Sequence, residues 1–440
     1  MVDTTADDGP IIDLEIGDVA HGGVFVARHE GRVVFVPDVL PGERVVARLT
    51  DTRKSSFWRA EALEVREASP HRRPHVWRQA DIHVAPGLRP GGADFGHIHL
   101  AHQRELKLHV LTDALQRFGG LSDPDVALLP AGATDAASPE TSDGTGWRTR
   151  VSLHVDADGR IGPYAARSHR VIDVDALPLA TVALENAALA LRSGDPGRID
   201  LVQPADGRVR VLPRPVEARG RGRGRSPRRA PAAEPEVIVE QVGDRRFQVD
   251  AGGFWQVHRL AASTLHDTVA AALRGVGGID PDAWHLDLYG GVGLFAATIA
   301  DQGGPATRVT TVESDPRATV HAGENLAEWV GARAETGRVD RWLAKLAAEA
   351  SAIDRERLAR GAVLLDPPRA GAGREVVESI AALAPATVVY VACDPVALAR
   401  DIATFRAAGY EPSHLTALDL FPNSHHVEAV ATLTPTGAQG

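Results

Sequence analysis

The chain has 440 residues, 44% of them hydrophobic, a formal net charge of -10 and a single cysteine, Cys393. That length suits two or three domains at ~150 residues each, and the lone cysteine excludes a disulfide scaffold and a cysteine-built metal cage, so no metal site is expected. The acidic total argues against indiscriminate nucleic-acid binding but permits a local basic face, which arginine must build because Lys54, Lys107 and Lys345 are the only lysines. The opening segment, Met1 to Pro10, is polar and acidic, and no apolar run long enough to span a bilayer follows; a soluble cytoplasmic protein is expected.

Residues 11–68 read as a small β module. Short strand-like runs such as Val33–Val36 and Arg44–Leu49 are punctuated by Gly22-Gly23, Pro41-Gly42 and Asp51-Thr52, a spacing that suits a five-stranded barrel of the OB type. Between Arg44 and Arg59 five basic residues face one acid, Asp51, with Phe57 and Trp58 among them. That interleaving fits phosphate contacts with base stacking, or else a solvated strand face over core aromatics.

Residues 73–250 are expected to form a central α+β domain. Its first part, residues 94–119, carries the helical apolar pattern Leu100, Leu106, Leu108, Leu111, Leu115 that Gly119-Gly120 ends. Strand-like runs such as Gly146–Val155 then alternate with turns. From Arg214 to Arg229 seven arginines meet one acid, Glu217, among glycines and prolines; residues 214–233 are expected to be a disordered insertion, either an RNA-tethering arm or an inert linker.

From residue 251 to 440 strands alternate with helices, the pattern of a doubly wound α/β domain. His285–Tyr289 reads as a strand running into the glycine turn Gly290-Gly291-Val292-Gly293, and Arg308–Glu313 as the next strand, ending in an acid placed to take the hydroxyls of a ribose. The turn departs from G-x-G-x-x-G, which tilts the ligand from a dinucleotide toward S-adenosylmethionine. Ala362–Leu365 runs into Asp366-Pro367-Pro368-Arg369, where Asp366 is a site residue or a helix cap. Val388–Val391 reaches Cys393 at the start of a helix, where a thiolate is favoured; an inert buried thiol is the bland alternative. Glu428 opens the last strand. Such strand ends are where this fold binds ligands.

Together these residues resemble the S-adenosylmethionine-dependent RNA uracil-5 methyltransferases with an N-terminal TRAM domain, over nearly the whole chain. The motifs are Phe35-Val36-Pro37 and Leu40–Glu43 in the first module, Gly253–His258, Asp287–Phe295, Glu313, Asp366 with its Pro-Pro-Arg, Cys393-Asp394-Pro395 and His426-Val427-Glu428. His258 stands for the usual asparagine, Gly290 for the usual cysteine, Leu294 for a frequent asparagine or threonine, and Ala392 for a frequent serine. The resemblance implies a class I methyltransferase domain of Rossmann-like fold acting on a splayed-out uracil in ribosomal or transfer RNA. Cys393 is then the nucleophile that adds to carbon-6, and Glu428 the base that removes the carbon-5 proton. Gln256, Tyr289, Gly291, Glu313, Asp340 and Asp366 would bind the methyl donor, Asp340 at its adenine. A monomer is expected. Two alternatives stay open: the same fold acting on another substrate, and a non-catalytic RNA-binding protein with a vestigial donor pocket.

Many relatives in that family carry an iron-sulfur cluster on four cysteines, three of them just after the first module. Here the matching stretch, Ala85 to His97, keeps the surrounding glycines and has no cysteine. Since such clusters require thiolates, no iron-sulfur cluster is expected, and the segment must hold together by packing.

Overall fold

In the computed structural model, which describes residues 9–133, 140–216 and 234–437, the first five strands are β1 (Ile11–Ala20), β2 (Val24–His29), β3 (Arg32–Val36), β4 (Arg44–Asp51) and β5 (Phe57–Glu67). They close into a barrel in the order β1-β2-β3-β5-β4. Period-two alternation sends Leu14, Ile16, Phe25, Ala27, Val34, Val36, Val45 and Ala47 inward. Glu43, fully buried, accepts from the backbone N–H of Leu40 at 2.9 Å and from both Nε and Nη2 of Arg72 at 2.6 and 2.8 Å. This bidentate pair ties the barrel to the segment that leaves it.

Residues 73–98 contain little regular structure and are organised by Arg89, which is 2% exposed. Its guanidinium donates to the carbonyls of Val84 (2.7 Å), Ile82 (2.8 Å) and Ala62 (3.1 Å) and to Asp38 Oδ2 (3.0 Å). A buried charged hub with four of its five N–H groups bonded thus fixes the glycine-rich stretch against the barrel.

The chain continues through α1 (Leu100–Arg117) and β6 (Ala127–Pro130) into β7 (Arg150–Val155), β8 (Ile161–Gly162), α2 (Val182–Ala190), β9 (Gly197–Val202) and β10 (Arg210–Pro215). The last four strands form a sheet in the order β10-β9-β7-β8, and β11 (Val237–Val242) with β12 (Arg245–Asp250) makes a hairpin. The expected insertion beginning at 214 needs correcting: Arg214 and Pro215 belong to β10, paired with Arg198 and Gly197, and Arg214 Nε bonds Asp200 Oδ2 at 2.5 Å. Residues 217–233, the rest of the arginine-rich stretch, lie outside the described residues.

The α/β part comprises α3 (Ala261–Gly275), β13 (Trp284–Leu288), α4 (Leu294–Gly303), β14 (Arg308–Glu313), α5 (Pro316–Asn325), β15 (Ala332–Thr336), α6 (Val339–Glu349), α7 (Ala352–Ala359), β16 (Ala362–Leu365), α8 (Arg374–Ala382), β17 (Thr387–Ala392), α9 (Pro395–Ala407), β18 (Tyr410–Asp419) and β19 (Glu428–Pro435). Its sheet has the order β15-β14-β13-β16-β17-β19-β18-β6. Only β19 runs against its neighbours, so its first residue lies at the edge where β13, β14, β16 and β17 end.

The expected boundary at 250/251 is crossed by three elements. β6 pairs with β18 at the sheet's edge, and Leu111, Ala114 and Leu115 of α1 share a core with Leu398, Ile402 and Phe405 of α9. On the other face Phe247 and Val249 of the hairpin pack with Trp255, Val292 and Leu326. Apolar faces on a short strand, a helix and a hairpin need cover, and here the α/β sheet supplies it.

Candidate active site

The chain runs from β13 outward to β15, then returns to β16 on the other side, so the sheet order switches between β13 and β16. Such a switch opens a crevice at the carboxyl ends of the strands. Here the crevice is a cavity of about 700 Å³, lined by Gln256, Tyr289, Gly291, Glu313, Asp366, Cys393 and Glu428 among others. Seven of the eight residues singled out in the sequence therefore share one cavity. Asp340 does not: it lies at the start of α6, paired with Arg338 at 2.8 Å, and lines an adjoining hollow that Tyr289 and Ser314 also border.

Gly290 leads into the glycine turn, where Gly291 and Gly293 have φ of 53° and 89°, a region open to glycine at little cost. A side chain at Gly290 would collide with the Thr311 hydroxyl, which donates to Asp287 Oδ2 at 2.9 Å. Threonine at 311 thus fills the space a larger residue at 290 would take, and the two positions are matched. Tyr289 itself has φ of 62°, a strained conformation for a bulky residue, and it turns the chain from β13 into the cavity wall.

Glu313 Oε2 accepts the Gly291 N–H at 3.1 Å and its Oε1 the Asp315 N–H at 2.8 Å, which fixes the carboxylate at the tip of β14. A cavity of this size, a backbone floor without side chains and an oriented carboxylate fit an adenosyl-type donor. Asp287 itself is fully buried behind the turn, outside the cavity lining, and its Oδ1 has no partner.

Burial dominates the electrostatics around Asp366, Glu428 and Cys393. The Asp366 carboxyl is pushed up to about 7 by burial and by Asp287 beside it. Glu428 is raised well above the usual carboxylate range by burial and by Asp366. Burial likewise pushes the Cys393 thiol up to about 12, with Glu428 and Asp366 adding to it and Arg369 opposing. The thiolate expected from the helix N-terminus is therefore not the resting form: the partial charge of a helix end, worth up to ~2 kcal/mol, is outweighed by desolvation and neighbouring carboxyls.

Several lining residues lie outside the set expected from the sequence. Arg369, Arg148, Phe254 and His426 face the same cavity. His426 Nε2 lies 3.3 Å from the Arg369 guanidinium and is pushed down to about 3, chiefly by burial, then by His425 and Arg369; the neutral ring accepts from the arginine. Asp250, at the end of the hairpin, binds Arg317 at 2.7 and 2.9 Å and His321 at 2.8 Å. Arg369 and His426 sat inside recognisable motifs, but Asp250 and Arg148 gave no local signal, because β12 and the loop before β7 reach the cavity only through tertiary packing.

Residues 340–435 match the profile of the tRNA (uracil-5-)-methyltransferase family and residues 8–63 that of the TRAM domain. An uncharacterized RNA methyltransferase of Streptomyces avermitilis is 37% identical, over 97% of this chain and 99% of its own length. The 23S rRNA (uracil(1939)-C(5))-methyltransferase of Shewanella amazonensis is 29% identical over 96% and 95%. Among solved structures, the Pyrococcus abyssi tRNA (uracil-54, C5)-methyltransferase, in complex with S-adenosyl-L-homocysteine, has the same fold, with a TM-score of 0.65 at 22% identity. The match covers 96% of this chain and all of that one.

Proposed function

The chain belongs to the S-adenosylmethionine-dependent RNA uracil-5 methyltransferases, and from that premise we propose that it methylates carbon-5 of a uridine in ribosomal or transfer RNA through a covalent adduct on Cys393. The observation that carries this reading is the convergence of the chain's only thiol, at the end of β17, with Glu428, at the start of the antiparallel β19, on one cavity.

Carbon-5 of neutral uracil is a poor nucleophile. When Cys393, its S–H proton given up to solvent, bonds through the thiolate sulfur to carbon-6, the electron pair of the 5,6 double bond moves into an enolate and carbon-5 becomes nucleophilic. Bound S-adenosylmethionine supplies the electrophilic methyl carbon. Glu428 then takes the carbon-5 proton, the C–H pair re-forms the double bond, and the S–C6 bond breaks to release the thiolate. Gln256, Tyr289, Gly291, Glu313 and Asp366 are the residues that would hold the donor. Asp340, one hollow away, would reach it only at its adenine end. Arg369, whose charge opposes the neighbouring carboxyls at the thiol, favours both the thiolate and the enolate. Lys54 and Arg59 over the Phe57 ring, at 4.6 and 5.7 Å, give the barrel a basic, aromatic face suited to phosphate contact and base stacking. No helix among the described residues is long and apolar enough to cross a membrane, and we place the enzyme in the cytoplasm as a monomer.

The test uses RNA from cells lacking the protein as methyl acceptor. Cys393→Ala is expected to abolish transfer with donor affinity kept within about twofold, because it removes the nucleophile and leaves the pocket. Glu428→Gln is expected to accumulate a protein–RNA band that survives denaturation. Substantial turnover in the cysteine variant would sink the mechanism, and the absence of any band with donor binding intact would remove Glu428 from the role of base.

A further inference from the structure

The turn joining β1 and β2 reaches out of the barrel to the catalytic edge. His21 Nε2 lies 2.9 Å from Asp394 Oδ2. The other oxygen of that carboxylate, Oδ1, accepts the backbone N–H groups of Val396 and Ala397 at 3.0 and 2.8 Å. Asp394 is thus the N-cap of α9 and the residue directly after the nucleophile, and the barrel holds it from outside.

Two residues along the same turn, Gly23 meets the other side of the site. A side-chain carbon there would lie 2.6 Å from Asp94 Oδ2 and 2.7 Å from His425 Cβ, and Gly23 has φ of 72°, so only glycine fits. Asp94 Oδ2 in turn accepts from the backbone N–H of His425 at 3.0 Å and lies 2.5 Å from its ring Nδ1. His425 is three residues before Glu428. A second, smaller hollow, bordered by His21, Gly23, Leu106, Cys393 and His425, lies between the turn and α1 behind the nucleophile.

We propose that the β1–β2 turn of the barrel is a positioning element for the methyl-transfer site: His21 fixes the start of α9 after Cys393, and Gly23, packed on Asp94 and His425, fixes the loop that delivers Glu428. The inference rests on the roles given to those two residues above. It assigns the barrel a task besides holding RNA. A barrel that only captured RNA would need its basic and aromatic face, not a turn packed against both catalytic loops. Because the His21–Asp394 pair is partly exposed, at 49% and 24%, it adds little to global stability, and its loss is expected to disturb geometry and leave the fold standing.

With the same RNA preparation as acceptor, His21→Ala is expected to lower kcat at least ~10-fold, with KM for RNA and affinity for S-adenosylhomocysteine within about twofold of wild type. His21→Gln, which keeps a donor at similar reach, is expected to recover more than half of the loss. Gly23→Ala is expected to lower kcat at least as far. Independently of turnover, amide hydrogen exchange at Val396 and Ala397 should quicken several-fold in His21→Ala, since their acceptor is no longer tethered. A rise in KM with kcat kept would mean that the turn is RNA-binding surface alone and would overturn the proposal, as would unchanged kcat with unchanged exchange. If the wild-type protein transfers no methyl, the uridine reading fails by itself, and the exchange measurement still decides whether the turn holds the start of α9.

Discussion

Cys393 is a thiol whose surroundings pull in opposite directions, and their balance sets its reactivity. Helix α9 points its N-terminus at the residue, which favours the anion. Burial, Glu428, Asp366 and Asp394 oppose it, while Arg369 favours it. At neutral pH the thiol is therefore protonated, and since the raised group ionises only as pH climbs, alkylation of Cys393 by iodoacetamide should be slow at pH 7 and accelerate steadily toward high pH. No other thiol in the chain can contribute. Asp366→Asn removes a negative neighbour, so the thiol ionises more easily and alkylation at any given pH should quicken. Fast alkylation of the wild type at pH 7, or no gain in the variant, would show that these carboxyls do not govern the thiol. The same removal should ease ionisation of Glu428, whose pKa Asp366 also raises.

Elements rather than single residues decide where the sequence was readable. The strands that carry Cys393, Asp366 and Glu313 were visible because each is a short β-branched or apolar run ended by an acid or an Asp-Pro, and a fully buried parallel strand has that appearance. The period of α1 was visible too, but periodicity says that a face must be buried and is silent on which core buries it. The pattern therefore groups α1 and β6 with the central domain, whereas β6 is a strand of the α/β sheet and α1 packs on α9. The contact that fixes α1 could not be read locally: Lys107 Nζ binds Asp419 Oδ1 at 2.6 Å and the Phe421 carbonyl at 2.9 Å, with both side chains of the ion pair fully buried. Their separation in sequence hides the pairing. Asp419 ends β18, and the chain goes on from it into the loop that delivers Glu428. Lys107→Ala would leave that carboxylate buried with Arg104 as its remaining cation, and should lower stability by about 3–5 kcal/mol, measured by urea unfolding. A loss under about 1 kcal/mol would mean that Arg104 or water compensates fully.

At the scale of the whole molecule the catalytic domain is not a separable C-terminal half. The site loop from Phe421 to Glu428 is held from the other end of the chain: Asn423, with φ of 66°, accepts from Arg73 at 2.6 Å and from Gln103 at 3.0 Å through its side-chain oxygen, and its backbone carbonyl accepts the Phe95 N–H at 3.0 Å. A strained backbone of this kind persists only where its surroundings over-determine it. β6 pairs along β18 at the sheet's edge, and the β11–β12 hairpin covers Trp255, Val292 and Leu326. A fragment of residues 251–440 would lose all of these, exposing both a sheet edge and an apolar face. It is expected to be aggregation-prone, without a cooperative melting transition by circular dichroism. A fragment of residues 99–440 keeps α1, β6 and the hairpin but lacks the barrel, Arg73 and Asp94. It is expected to melt cooperatively and bind S-adenosylhomocysteine, while methyl transfer falls at least ~100-fold, because the loops carrying Cys393 and Glu428 lose their outer contacts. A 251–440 fragment that melts as sharply as the full chain would show that the sheet closes on itself. A 99–440 fragment with full turnover would show that the N-terminal third of the chain plays no part in the chemistry.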